Sequence, residues 1–128
     1  MKKKGGHHFY GGRKLSHLEI LEIFDQGLYS CDLEGGVVYC RWGRPLKPYF
    51  GNADKHLYVR IHGKGKMLAI ALHRLVWIVG SRREIPGGWH VHHINHDVAD
   101  CSFSNLLCLC PKDHLKFHRG PVVDDIPF

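Results

Sequence analysis

Residues 89–97 read WHVHHINHD, and after seven further residues the chain continues as NLLCLCPKDHLKFH over 105–118. Four histidines, His90, His92, His93 and His96, fall within seven positions. Imidazole is too polar to fill a core and carries no fixed charge, so this density points to metal ligation or to proton transfer near neutral pH. Residues 89–92 read as a short strand. A polar loop follows, INHDVADCSFSN, with Asp97 and Asp100 as turn formers. NLLCLC reads as a second strand. Pro111 suits the first position of a helix, and PKDHLKFHRG makes about two turns before Gly120 stops it. The unit is a hairpin leading into a helix. On that helix His114 and His118 stand at i, i+4, on one face and one turn apart, a spacing that lets two imidazoles grip one ion. A third ligand must come from the hairpin, where His90, His92, His93 and His96 are the candidates. In an extended strand His92 and His93 point to opposite sides. Both can serve one site if one imidazole holds the ion while its neighbour handles a proton.

Upstream, Ser16 and Glu19 in LSHLEILEIFDQG match a capping box. Leu18, Ile20, Leu21, Ile23 and Phe24 give a helical apolar stripe, and Gly27 a C-terminal stop. Residues 36–49 read as a strand, a Gly-Arg-Pro turn and a second extended segment that Pro45 and Pro48 confine to an edge. LYVRIHGKGKMLAIA over 57–71 reads as a hairpin about Gly63–Gly65. Tyr58, Arg60 and His62 lie on one of its faces and Val59 and Ile61 on the other. LHRLVWIVG reads as a short helix closed by Gly80, with Leu72, Leu75, Val76, Trp77 and Ile78 in the core. Trp42 and Tyr49 could stack on bases but default to the core. His17, His56, His62 and His73 read as surface or hydrogen-bonded structural residues.

Charge is segregated along the 128 residues. The formal net charge is +6, but residues 41–83 hold ten Lys/Arg against the single acid Asp54, while residues 84–128 hold three bases and six acids. A local basic block beside aromatic residues fits a polyanionic partner, double-stranded DNA above all. A two-stranded ribbon can enter the major groove, so the tip His62–Lys66 with Lys64, Lys66, Arg60 and Tyr58 is the first candidate surface. Arg41, Arg44 and Lys47 are the second. The start MKKKGGHHFYGG has no apolar stretch behind its lysines, and residues 1–14 read as a flexible basic arm in which Lys2–Lys4 could track phosphates. No run of about 18 apolar residues occurs, so no membrane span is expected. The five cysteines, an odd count without a secretion signal, fit reduced thiols in a cytosol.

The layout VHHIN…SNLLCL…DHLKFH over 89–118 resembles the HNH endonucleases. The preceding YVRIHGKGKMLAIALHRLVW resembles the segment upstream of this motif in phage-type HNH homing endonucleases, so the likeness runs from Tyr58 to His118. It implies an α+β fold of small antiparallel β-hairpins with a C-terminal ββα-metal motif around one divalent ion. It implies His93 as general base, His92, His114 and His118 as metal ligands, and Asn105 as the motif's asparagine, which braces the loop in some members and binds the ion in others. If the chain is phage-encoded, it implies the cytoplasm of a bacterial host. Two departures stand out. Phage members often carry Asp where His92 stands, and no Cys-x-x-Cys pair is intact, since Cys110 is followed three residues on by Asp113. No zinc knuckle is expected.

These expectations divide the chain into the arm 1–14, a DNA-binding region 15–88, the catalytic motif 89–120 and a tail 121–128. Phosphodiester hydrolysis needs an activated water, charge neutralisation on the phosphate and help for the departing 3′ oxygen. Imidazole, with an ordinary pKa of about 6.5, suits the first task, and a divalent ion the other two. Mg²⁺ or Mn²⁺ is the expected ion. Zn²⁺ or Ni²⁺ also suits imidazole ligands. Two rival readings are a metal-stabilised DNA-binding module of the same fold without turnover, and a structural zinc protein using Cys101, Cys108 or Cys110. Monomer and homodimer both stay open.

Overall fold

The computed structural model describes residues 14–51 and 55–113. The arm before Lys14, Asp54, the helix beyond Asp113 with His114 and His118, its stop at Gly120 and the tail lie outside the described residues.

Helix α1 (His17–Asp25) begins as its capping box dictates. The Glu19 amide donates to Ser16 Oγ at 3.1 Å and the Ser16 amide to Glu19 Oε1 at 3.0 Å. Ile20, Leu21 and Ile23 are buried, but Leu18 is 56% exposed. At 100° per residue Leu18 stands about 160° from Ile20, on the solvent side, so the apolar stripe is narrower than expected. The helix closes at Gln26, and Gly27 supplies the left-handed residue after it, with φ +83°.

An unexpected strand follows, β1 (Tyr29–Asp32), paired antiparallel with β2 (Val37–Cys40). The segment after β2 returns along its edge through a bridge from Tyr39 to Pro45, as the prolines require. A three-stranded sheet comes next, ordered β3 (Tyr49–Phe50), β4 (Leu57–Gly63), β5 (Lys66–Ala71). The β4–β5 turn is Lys64–Gly65, both residues at positive φ (54° and 70°), the pattern of a two-residue hairpin turn. Val59 and Ile61 are buried while Arg60 and His62 are exposed.

Helix α2 (Leu72–Ser81) forms the centre of the core and packs against α1, β4, β5 and the C-terminal hairpin. Leu75, Val76 and Ile78 are fully buried, together with Ile20, Ile23, Val38, Val59 and Ile61. Gly80 does not end α2. It lies inside the helix, where a Cβ would run into the Phe103 ring, and the left-handed stop is Arg82 (φ 60°). Arg82 also clamps α1 to α2 through two hydrogen bonds of 2.8 Å to Asp25. The last hairpin pairs β6 (His90–His93) with β7 (Leu106–Leu109), His93 opposite Leu106, and the backbone turns helical at 111–113. The fold is α+β, with small antiparallel sheets and a C-terminal ββα region. Among the described residues no helix is long and apolar enough to cross a membrane.

Candidate active site

His92 and His93 lie at the end of β6 and both are buried, at 7% and 5% exposure. Their ring neighbours differ, as strand alternation requires. The His92 ring meets His96 edge-on at 5.1 Å. The His93 ring lies 4.7 Å from His73 and 5.8 Å from His56, and those two rings stack on each other at 4.7 Å. All five line one cavity of about 390 Å³, with His90, Tyr58 and Arg74 also in its wall. His93 faces this cavity.

His56 and His73 were read as structural residues, yet the fold delivers them to the same wall as His93. The β4–β5 pairing brings their two segments together: Tyr58 pairs with Ala71, His56 lies two residues before Tyr58, and His73 lies two residues after Ala71, in the first turn of α2. Arg74, the next residue of α2, was also passed over.

Burial, with the neighbouring His56 acting the same way, holds the His93 imidazole below its ordinary pKa against the opposing pull of Asp100 and Asp97. A ring so placed is neutral at pH 7, with a lone pair to accept a proton. Cys101 Sγ lies 3.8 Å from His93 Nε2. Burial pushes that thiol up to about 11, so it remains uncharged.

Asn105 is occupied in the loop between the two strands. Its Oδ1 accepts from the Asn95 amide at 3.1 Å, and its Nδ2 donates to Asn95 Oδ1 at 3.0 Å and to the Asp100 carbonyl at 2.8 Å. Asp100 in turn accepts from the Ser102 hydroxyl at 2.6 Å, which holds its carboxyl below the usual range. The loop thereby sets the spacing of the strand ends that carry His93 and Leu106.

His92, with His96 beside it, offers imidazole nitrogens of the type a divalent transition ion takes. Among the described residues no group of three His, Cys, Asp or Glu side chains is arranged to hold a metal ion, and this covers Cys101, Cys108 and Cys110. The remaining expected ligands, His114 and His118, lie outside the described residues. The five cysteines are free thiols.

Of the expected DNA contacts, Arg41, Arg44, Lys47 and Arg60 are exposed. Lys64 and Lys66 are paired with α1, at 3.0 Å to Glu22 and 2.7 Å to Glu19. Lys66 and the Ser16 cap hold the Glu19 carboxyl at about 2. Trp42 and Tyr49 are not in the core: Trp42 is 75% exposed beneath the Arg41 guanidinium, and Tyr49 lies beneath that of Arg60. Each ring lies beneath a cation at the surface, and that of Tyr49 also stacks on Tyr58 at 6.2 Å.

Residues 71–116 match the HNH endonuclease family, so the matched segment includes α2 and the whole β6–β7 hairpin. The fold is similar to a solved structure described as "DNA binding and cleavage by the HNH homing endonuclease I-HmuI", with a TM-score of 0.59 and 22% identity. The similarity covers 73% of this chain and 52% of that one, so the chain spans about half its length. Comparison with curated proteins finds no match.

Proposed function

We propose, from the match of residues 71–116 to the HNH endonuclease family, that the chain is a metal-dependent endonuclease hydrolysing phosphodiester bonds of double-stranded DNA. The observation that carries the reading is the pair His92–His93, adjacent in β6, with different ring neighbours and one shared cavity. The neutral His93 imidazole takes a proton from the attacking water. The water oxygen bonds to phosphorus, the bond from phosphorus to the 3′ oxygen breaks, and that oxygen is protonated from solvent, leaving a 5′-phosphate and a 3′-hydroxyl. Asn105 braces the loop behind His93 and so acts as a positioning residue. His92, His114 and His118 would hold one divalent ion, Mg²⁺ or Mn²⁺ with Zn²⁺ or Ni²⁺ also suited, which supplies Lewis-acid charge neutralisation when bound.

DNA reaches the site over the open face of the β3–β4–β5 sheet. Tyr58 and Arg60 share that face two residues apart, about 7 Å along the strand, and Tyr58 lines the cavity. Arg60, Arg41, Arg44 and Lys47 supply phosphate contacts, with Trp42 and Tyr49 beside them. Lys64 and Lys66 contribute less, because Glu22 and Glu19 already neutralise them. In this arrangement α2 serves the catalytic motif as well as the core.

The test is His93→Ala. It should abolish plasmid cleavage while the variant still unfolds cooperatively and its DNA affinity stays within about twofold of the parent protein. Undiminished cleavage refutes the base assignment. Absent cleavage by the parent protein, with DNA binding kept, favours a binding module of the same fold.

A further inference from the structure

The cavity has a composition that the proton-transfer chemistry does not account for. Among the described residues six histidines line it, and none of the described lining residues is Asp or Glu. Among the described residues the one permanently charged group in the wall is Arg74, in the first turn of α2 beside His73. Arg74 is half-buried. The described ion pairs of Lys64, Lys66 and Arg82 use Glu22, Glu19 and Asp25, and none of the described pairs involves Arg74. Its field is felt on two sides, at His17 and at Cys108, the strand partner of the cavity residue Val91. Glu84 acts on His17 with the opposite sign.

Partial burial costs a guanidinium some of its hydration, and an anion in the cavity would offset that cost. A planar guanidinium presents paired N–H donors that match two oxygens of a phosphate. We propose that Arg74 is the phosphate anchor of this site: its guanidinium binds the non-bridging oxygens of the phosphodiester to be cut and holds the phosphorus in front of His93. The inference rests on the endonuclease reading for the identity of the anion, but the anion site itself follows from the cavity. It also explains why the family match takes in α2: the helix brings His73 behind the base and Arg74 beside the substrate.

The experiment uses the full chain with Arg74→Met, which keeps the aliphatic stem and removes the charge, and Arg74→Lys, which keeps the charge and removes the fork. With inorganic phosphate as probe and chelator present, the histidine ring protons of the parent protein should shift saturably by NMR, and those of R74M should not. On duplex DNA, R74M should lower the slope of log K against log salt by about 1 and R74K should restore it. Cleavage by R74M should fall about 10- to 100-fold in kcat/KM, the loss expected for one charge-assisted contact, and R74K should stay at least about fivefold low. Equal phosphate titration and salt slope in R74M and parent overturn the anchor. If R74M does not fold, R74K decides: parental kcat/KM in R74K overturns it. A parent protein that binds phosphate through Arg74 but cleaves no DNA refutes the endonuclease reading and leaves the anion site standing.

Discussion

Gly36 sits in the turn between β1 and β2 at φ +66°, pressed against the loop that carries Cys101. A Cβ there would lie 2.6 Å from the Cys101 carbonyl carbon, 2.7 Å from its oxygen and 2.9 Å from the Ser102 nitrogen. All three are backbone atoms, so no side-chain rotation relieves the clash. The same turn receives the Phe103 amide on the Leu33 carbonyl at 2.8 Å. Gly36→Ala therefore carries two penalties: about 1–2 kcal/mol for a left-handed alanine and about 1–3 kcal/mol for overpacking. Gly65→Ala is the control, because Gly65 has φ +70° with nothing within 4 Å and carries only the first penalty. Urea unfolding of both variants should show G36A less stable than G65A by about 1–3 kcal/mol at unchanged m-value. Cleavage by G36A should also fall further than by G65A, since the displaced loop holds Cys101 against His93. Equal stabilities, within about 0.5 kcal/mol, would show that the β1–β2 turn does not support the catalytic loop.

Two further outcomes follow from the site. Asn105→Ala removes hydrogen bonds to Asn95 and Asp100, and at about 1 kcal/mol each should cost about 2–3 kcal/mol in urea unfolding, with cleavage reduced more than DNA binding; a loss under about 0.5 kcal/mol removes the bracing role. The lowered pKa of His93 sets the sign of the pH response. The neutral ring, and the stability it contributes, are fully present above the ordinary value of about 6.5 and are lost as pH falls through the lower folded value. The acid limb of kcat/KM should therefore lie below pH 6.5, and a midpoint above 7 contradicts the neutral-base geometry.

Much of this fold is readable in the chain because its signals are local. Ser16 and Glu19 close a box over three residues, Lys64–Gly65 sets a hairpin register, and Pro111 opens a helix. The errors arise where one segment depends on another. β1 reads YSCD, four residues in which Ser30 and Asp32 point to solvent, too short and polar to declare a strand without its partner β2. Gly80 resembles a helix stop until Phe103 is seen across from it. Trp42 resembles core until the Arg41 guanidinium is found over its ring at the surface. The same limit applied to the site. His92 and His93 announced themselves by adjacency, whereas His56 and His73 are seventeen residues apart in the chain, one just before β4 and the other in the first turn of α2, and their rings meet only in the folded chain. Each looked like a lone histidine because the distance that matters is measured across the fold.

Whether this cavity cuts DNA with an imidazole base and one divalent ion is decided by incubating the purified chain with supercoiled plasmid in Mg²⁺, in Mn²⁺ and in chelator, and mapping the new ends chemically. Open-circular or linear DNA with 5′-phosphate and 3′-hydroxyl termini is expected in at least one of the two metal buffers, and intact plasmid in chelator. Cleavage that persists in chelator, termini of the opposite polarity, or plasmid left intact in every buffer would contradict that assignment.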